Sequence, residues 1–116
     1  MILYCGEWEK TVKFYKEGLS LPVNFITNWF VEFCLNETSR LSIANEQKSS
    51  IKSSEKKGIT IALQVENIDE IWENIVKREL KPTKIKHHPW NARVFYLYDP
   101  EGHRIEIWQS VTSVKK

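Results

Sequence analysis

The order of elements along this chain repeats, and that repeat limits the folds open to it. A short apolar strand at Ile2 to Cys5 is followed by a helical stripe and three strand-like runs; after a polar stretch the same order returns. In the first half Trp8, Val12, Tyr15 and Leu19 recur at helical spacing, with Phe14 beside them. That spacing predicts a helix from about Glu7 to Glu17, stopped by Gly18. Strands are expected at Val23 to Thr27, Trp29 to Leu35 and Arg40 to Ala44, with a turn at Asn36 to Ser39. The second half opens with the β-branched run Ile59 to Val65. Asn67 then offers a helix cap, with Glu70 three residues on. Ile68, Ile71, Trp72, Ile75, Val76 and Leu80 form its apolar stripe, with Trp72 read as core, and Pro82 ends the helix. Strands follow at Thr83 to Lys86, Ala92 to Tyr98 and His103 to Gln109.

Composition sets the outer bounds. A chain of 116 residues fits one domain and buries roughly two-thirds of its unfolded surface without staples. No run approaches the ~20 apolar residues that span a bilayer, so no membrane is expected. Gly6, Glu7, Glu9 and Lys10 interrupt the apolar start, which speaks against a signal peptide and for a cytoplasmic protein. Cys5 and Cys34 lie in apolar segments and are expected as buried free thiols. Neither CxxC nor CxxxH spacing occurs, which excludes a zinc finger. The net charge of +2 is weak and the lysines are scattered, so nucleic acid is not expected as a partner. Lysines from Lys48 to Lys57 are diluted by serines and read as a linker, dividing the chain into modules 1–46 and 58–116 around 47–57.

The most informative stretch is "FYLYDPEGHRIEIWQ", Phe95 to Gln109. It reads strand, tight turn, strand, the turn supplied by Asp99-Pro100-Glu101-Gly102. Arg104 to Trp108 alternates strictly. Successive side chains on a strand point to opposite faces, so Ile105 and Ile107 share one face and Arg104, Glu106 and Trp108 the other. A carboxylate between an arginine and a tryptophan is either a solvated residue or the wall of a site.

With "WEKTVKFYKEGLSLPV" near the start and "ITIALQVENIDEIWENI" at the midpoint, this stretch resembles the vicinal oxygen chelate superfamily. That family holds glyoxalases, extradiol dioxygenases, fosfomycin-resistance enzymes and bleomycin-binding proteins. The resemblance covers nearly the whole chain. It implies an α+β fold of two βαβββ modules forming a paired curved-sheet cleft, and a homodimer, which open sheet edges also favour. Metal-using members supply ligands from four positions. Here the last is Glu106; the third falls at or beside Thr60, the second within Leu41 to Ala44 with Glu46 just beyond, and the first at or before Met1. Only Glu106 matches, and a catalytic metal generally needs about three protein ligands, so no metal or other cofactor is expected. His87-His88 precedes Pro89 in an expected loop and His103 sits in the turn, so none completes the set.

The expected ligand-binding residues are Glu106, Trp108, Tyr96, Arg104, Trp90 and Arg93, with Glu106 and Tyr96 as the catalytic candidates. Tyr96 and the "HHPWNAR" segment are placed on the cleft side by the resemblance. Trp29 and Phe33 have the opposite strand parity to Phe30, so these three are not expected to face the cleft together. The favoured reading is a protein that binds a small aromatic or apolar ligand without metal. Its slightly basic charge argues against bleomycin itself, which is cationic. The alternative is a glyoxalase-, dioxygenase- or transferase-like enzyme using Glu106 with unusual metal ligands or metal-free acid/base chemistry.

Overall fold

The computed structural model describes residues 1–49, 59–89 and 91–111. They fall into two compact units, Met1–Lys57 with Pro100–Gly102, and Gly58–Asp99 with His103–Lys116. Each unit carries one four-stranded sheet, and the two sheets have the same topology.

The first unit runs β1 (Ile2–Cys5), α1 (Trp8–Lys13), a π-helical turn (Phe14–Gly18), β2 (Val23–Ile26), β3 (Phe30–Cys34), β4 (Arg40–Asn45) and a 3-10 turn (Glu46–Lys48). Its sheet order is β1-β4-β3-β2. Strand β1 pairs parallel with β4, and the other pairs are antiparallel. Alternation sends Leu3, Cys5, Val31, Phe33, Leu41 and Ile43 into the core. A large apolar side chain of this kind stabilises by about 1.5–3 kcal/mol when fully buried. The Trp8 indole N–H donates to the Ile43 carbonyl at 2.9 Å, and the Tyr15 ring lies 6.2 Å from that of Phe33, fixing the helix on this face.

The expected helical stripe is corrected here. The buried residues are Thr11, Phe14, Tyr15 and Gly18, while Trp8, Val12 and Leu19 are only half-buried. Thr11 is tolerated in the core because its hydroxyl donates to the Glu7 carbonyl at 2.7 Å. Beyond Lys13 the α-helix gives way to a wider turn, and the Leu19 N–H donates to the Phe14 carbonyl at 2.9 Å. The buried residues keep the i, i+3, i+4, i+7 spacing of one helix face across this turn, a face that includes the small or polar Thr11 and Gly18. Glu7 provides no side-chain cap for α1. The Glu101 carboxylate serves instead, accepting from the Gly6 N–H at 3.0 Å and the Glu7 N–H at 2.6 Å.

The second unit runs β5 (Thr60–Gln64), α2 (Ile68–Lys77), β6 (Lys86–His88), β7 (Ala92–Tyr98) and β8 (Arg104–Ser110), in sheet order β5-β8-β7-β6. Strand β5 pairs parallel with β8, while β8 with β7 and β7 with β6 are antiparallel. Ile61, Phe95, Leu97, Ile105 and Ile107 are buried, as are Ile68 and Ile75 of α2. Asn67 caps α2 as its sequence predicts, accepting from the Glu70 N–H at 3.2 Å. The Gln109 side chain adds a second acceptor, taking the Ile68 N–H at 2.8 Å.

Three expectations fail in this unit. Trp72 is not core; it is half-buried, and its indole N–H donates to the Thr83 carbonyl at 2.8 Å. The strand expected at Thr83 to Lys86 lies later, and His87 and His88 belong to it rather than to a loop. Glu79 and Lys81 both adopt positive φ, and this left-handed exit delays the next strand. In the first unit, Cys34 is half-buried rather than buried, and Cys5 and Cys34 form no disulfide. Of the expected linker, Gln47 and Lys48 form part of the 3-10 turn, while residues 50–58 lie outside the described residues.

Candidate functional site

Strand register assembles the site of the second unit. The β7–β8 pairing sets Tyr96 opposite Glu106 and Tyr98 opposite Arg104. The β5–β8 pairing sets Thr60 opposite Arg104 and Ala62 opposite Glu106. Directly paired residues share a face, so Thr60, Tyr96, Tyr98, Arg104, Glu106 and Trp108 lie together. Gln109, which caps α2, has the parity of Ile105 and Ile107, so the face bearing Glu106 is the one turned away from that helix.

At its centre is a chain of contacts. The Tyr96 hydroxyl donates to Oε1 of Glu106 at 3.3 Å. The Arg104 guanidinium lies over the Tyr96 ring, with Cζ 4.8 Å from the centroid. Nε of Arg104 donates to the Thr60 hydroxyl at 3.1 Å. Desolvation pushes the Tyr96 phenol above its ordinary pKa, and the Glu106 charge and hydrogen bond push in the same direction, against a smaller opposing effect of Arg104. Tyr96 is therefore a neutral hydrogen-bond donor at physiological pH. It is poorly suited to act as a base.

The sequence candidates separate. Tyr96, Arg104, Glu106 and Trp108 come together. Arg93 does not join them: its parity carries it to the α2 side, where Nη1 and Nη2 donate to the Asp69 carboxylate at 2.7 and 2.9 Å. The hydrogen bond from Arg93 lowers the Asp69 pKa. Trp90 lies outside the described residues. The parity argument for Trp29 fails because β3 begins one residue later, at Phe30; the Trp29 ring lies 5.4 Å from the Phe30 ring. His103 is committed elsewhere, its Nδ1 buried 2.8 Å from Oδ2 of Asp99. Sequence reasoning missed Thr60 as the partner of Arg104. Only a β5–β8 register brings those residues together, and nothing local in either segment signals it.

The donor set does not fit a resident divalent metal. Among the described residues, no three His, Cys, Asp or Glu side chains converge. Thr60, at a position where metal-using relatives are expected to carry a ligand, accepts a bond from a guanidinium. A fixed positive charge there opposes a cation.

The glyoxalase-like domain profile matches residues 1–112 of the chain. The chain belongs to the glyoxalase-like family. A glyoxalase-like protein of this kind is similar to the uncharacterized protein YraH of Bacillus subtilis (strain 168), at 29% identity over 92% of this chain and 93% of that one. Two solved structures share the glyoxalase-like fold. Lactoylglutathione lyase from Agrobacterium tumefaciens superposes with a TM-score of 0.77 at 17% identity, covering 94% of this chain and 90% of that one. TnmS3, an antibiotic binding protein from Streptomyces sp. CB03234, gives 0.76 at 15% identity, covering 95% and 92%. One of these is named for catalysis and the other for binding, so the shared glyoxalase-like fold leaves function to the site. No helix among the described residues is long and apolar enough to cross a membrane.

Proposed function

We propose that this glyoxalase-like protein binds a small, flat organic ligand on the Glu106 face of its second sheet, without a resident metal. The observation that carries the reading is the chain Thr60–Arg104–Tyr96–Glu106, which fixes polar groups beside Trp108 yet, among the described residues, gathers no metal-ligand set. Trp108 is half-buried, and an indole so placed offers a stacking surface. Aromatic stacking adds about 0.5–1.5 kcal/mol beyond the area buried. TnmS3 gives the binding reading a precedent within the fold.

Catalysis by Glu106 and Tyr96 is the weaker reading. The phenol already donates to the carboxylate, and its raised pKa keeps it protonated. The test is a fluorescence-quenching screen of flat aromatic compounds on wild type and Trp108→Leu, with elemental analysis after metal-replete purification. Saturable quenching that shrinks in Trp108→Leu, with well under one transition metal per chain, is expected. A stoichiometric metal lost in Glu106→Ala, or no saturable binding by any compound, overturns the proposal.

A further inference from the structure

Arg104 is restrained, yet among the described residues its charge has no ion-pair partner. Its Nε is used by Thr60, and one face of its guanidinium by the Tyr96 ring. Its side chain is exposed, and no described carboxylate lies within ion-pair distance of it. The contrast with Arg93 is informative, because that guanidinium spends both terminal nitrogens on Asp69. Restraining a long arginine side chain costs rotamer freedom, and here the two contacts leave Nη1 and Nη2 as a preset fork. Such a fork matches the two oxygens of a planar oxyanion.

Two residues along β8, Glu106 presents the opposite preference. Tyr96 occupies Oε1, and among the described residues Oε2 has no partner. It is an acceptor, suited to an N–H or O–H group. Trp108 follows after two more residues on the same face. Same-face neighbours on a strand stand roughly 7 Å apart. Fork, acceptor and flat surface therefore succeed one another along one strand, and the guanidinium lies over the ring of Tyr96, the residue paired with Glu106, which brings the fork closer to the acceptor than the strand spacing alone.

We infer that the ligand is an aromatic oxyacid carrying a hydrogen-bond donor between its acid group and its ring. The acid lies on the Arg104 fork, the donor on Glu106 and the ring on Trp108. The charges fix this polarity: reversing the ligand would move its anion off the guanidinium and onto the Trp108 indole, which carries no positive charge. Thr60 acts as a positioning residue, aiming the fork without touching the ligand. This assignment rests on the binding-site reading above and adds the chemistry of the ligand.

The experiment is a calorimetric titration with three matched probes: 3-phenyllactate, 3-phenylpropanoate and the uncharged 3-phenylpropane-1,2-diol. On wild type, phenyllactate should bind at least about tenfold more tightly than the diol, as a charge-assisted pair implies. Phenylpropanoate, lacking the hydroxyl, should fall between them. Arg104→Gln should abolish the preference for acid over diol, and Arg104→Lys should fail to restore it fully, because an ammonium lacks the fork. Thr60→Val should weaken phenyllactate several-fold while leaving the diol unchanged, an effect a merely structural role would not confine to the acid. Glu106→Gln should reduce the advantage of phenyllactate over phenylpropanoate. Equal binding of acid and diol to wild type, quenching Trp108 alike, would overturn the oxyacid assignment and leave the binding site standing. So would an acid preference that survives Arg104→Gln. Absence of binding by all three probes and by the wider aromatic screen overturns both.

Discussion

Tyr96 sits between a cation and an anion, and its titration reports on both. Burial, the Glu106 charge and the hydrogen bond to it each favour the neutral phenol, while Arg104 favours the phenolate. The first three, with a smaller contribution from Tyr98, prevail, so the folded-state pKa lies above the unfolded value of about 10. A group raised in this way contributes stability that is fully present below its unfolded pKa. That contribution is lost as pH rises through the folded value. Subtracting the ultraviolet titration of Tyr96→Phe from that of wild type should isolate a phenol ionising above pH 10. In Glu106→Gln the same difference spectrum should move to lower pH, because both raising influences of Glu106 weaken. Movement to higher pH, or none, would mean that the contact between Tyr96 and Glu106 does not form in solution.

Within single elements, local chemistry decides some boundaries and long-range pairing decides others. Asn67 is a local case: its side chain accepts the Glu70 N–H, a bond readable from three residues' spacing. Asn67→Ala should destabilise the protein by about 1 kcal/mol, measured by urea unfolding. A change near zero would mean that Gln109, the second acceptor at this helix start, suffices alone. Strand β7 was legible for the same reason, since Ala92 to Tyr98 carries its own β-propensity and is bounded by Asn91 and the Asp99 turn. Alternation in β8 likewise placed Arg104, Glu106 and Trp108 on one face. Strand β6 was not legible, because three polar residues, Lys86 to His88, become a strand only by pairing with β7. The buried stripe Thr11, Phe14, Tyr15 and Gly18 keeps the regular helical spacing, but Thr11 and Gly18 are not large apolar residues, so a stripe read from apolar residues misses it. Arg93 was misassigned because its neighbours suggest a loop over the site, whereas strand parity sends it to Asp69.

For the whole molecule, sheet order determines which backbone groups lack a partner strand. Strands β1 and β2 end the first sheet, and β5 and β6 end the second. Natural proteins blunt such edges with charge, short length or bulges, because an open edge templates pairing with another chain. Strand β6 follows that rule with Lys86 and two histidines. Strand β2 carries no charged residue, and all of Val23, Asn24, Phe25 and Ile26 are exposed. Phe25 is 54% exposed and Ile26 56%, large values for such apolar side chains. A register shift between Val23 and Phe25 shortens the pairing surface, which disfavours open-ended growth more than a closed two-fold contact. The homodimer expected from the sequence is therefore predicted to form along β2 of two copies. Light scattering at micromolar concentration should give twice the 13.7 kDa chain mass. Phe25→Lys should return the single-chain mass with little change in the circular dichroism spectrum, because the side chain it replaces is more than half exposed and touches only the edge of the Phe30 ring among aromatic neighbours, and the added charge opposes its own copy across the edge. A wild-type monomer under these conditions would overturn the prediction, and a dimer insensitive to Phe25→Lys would exclude β2 as its interface.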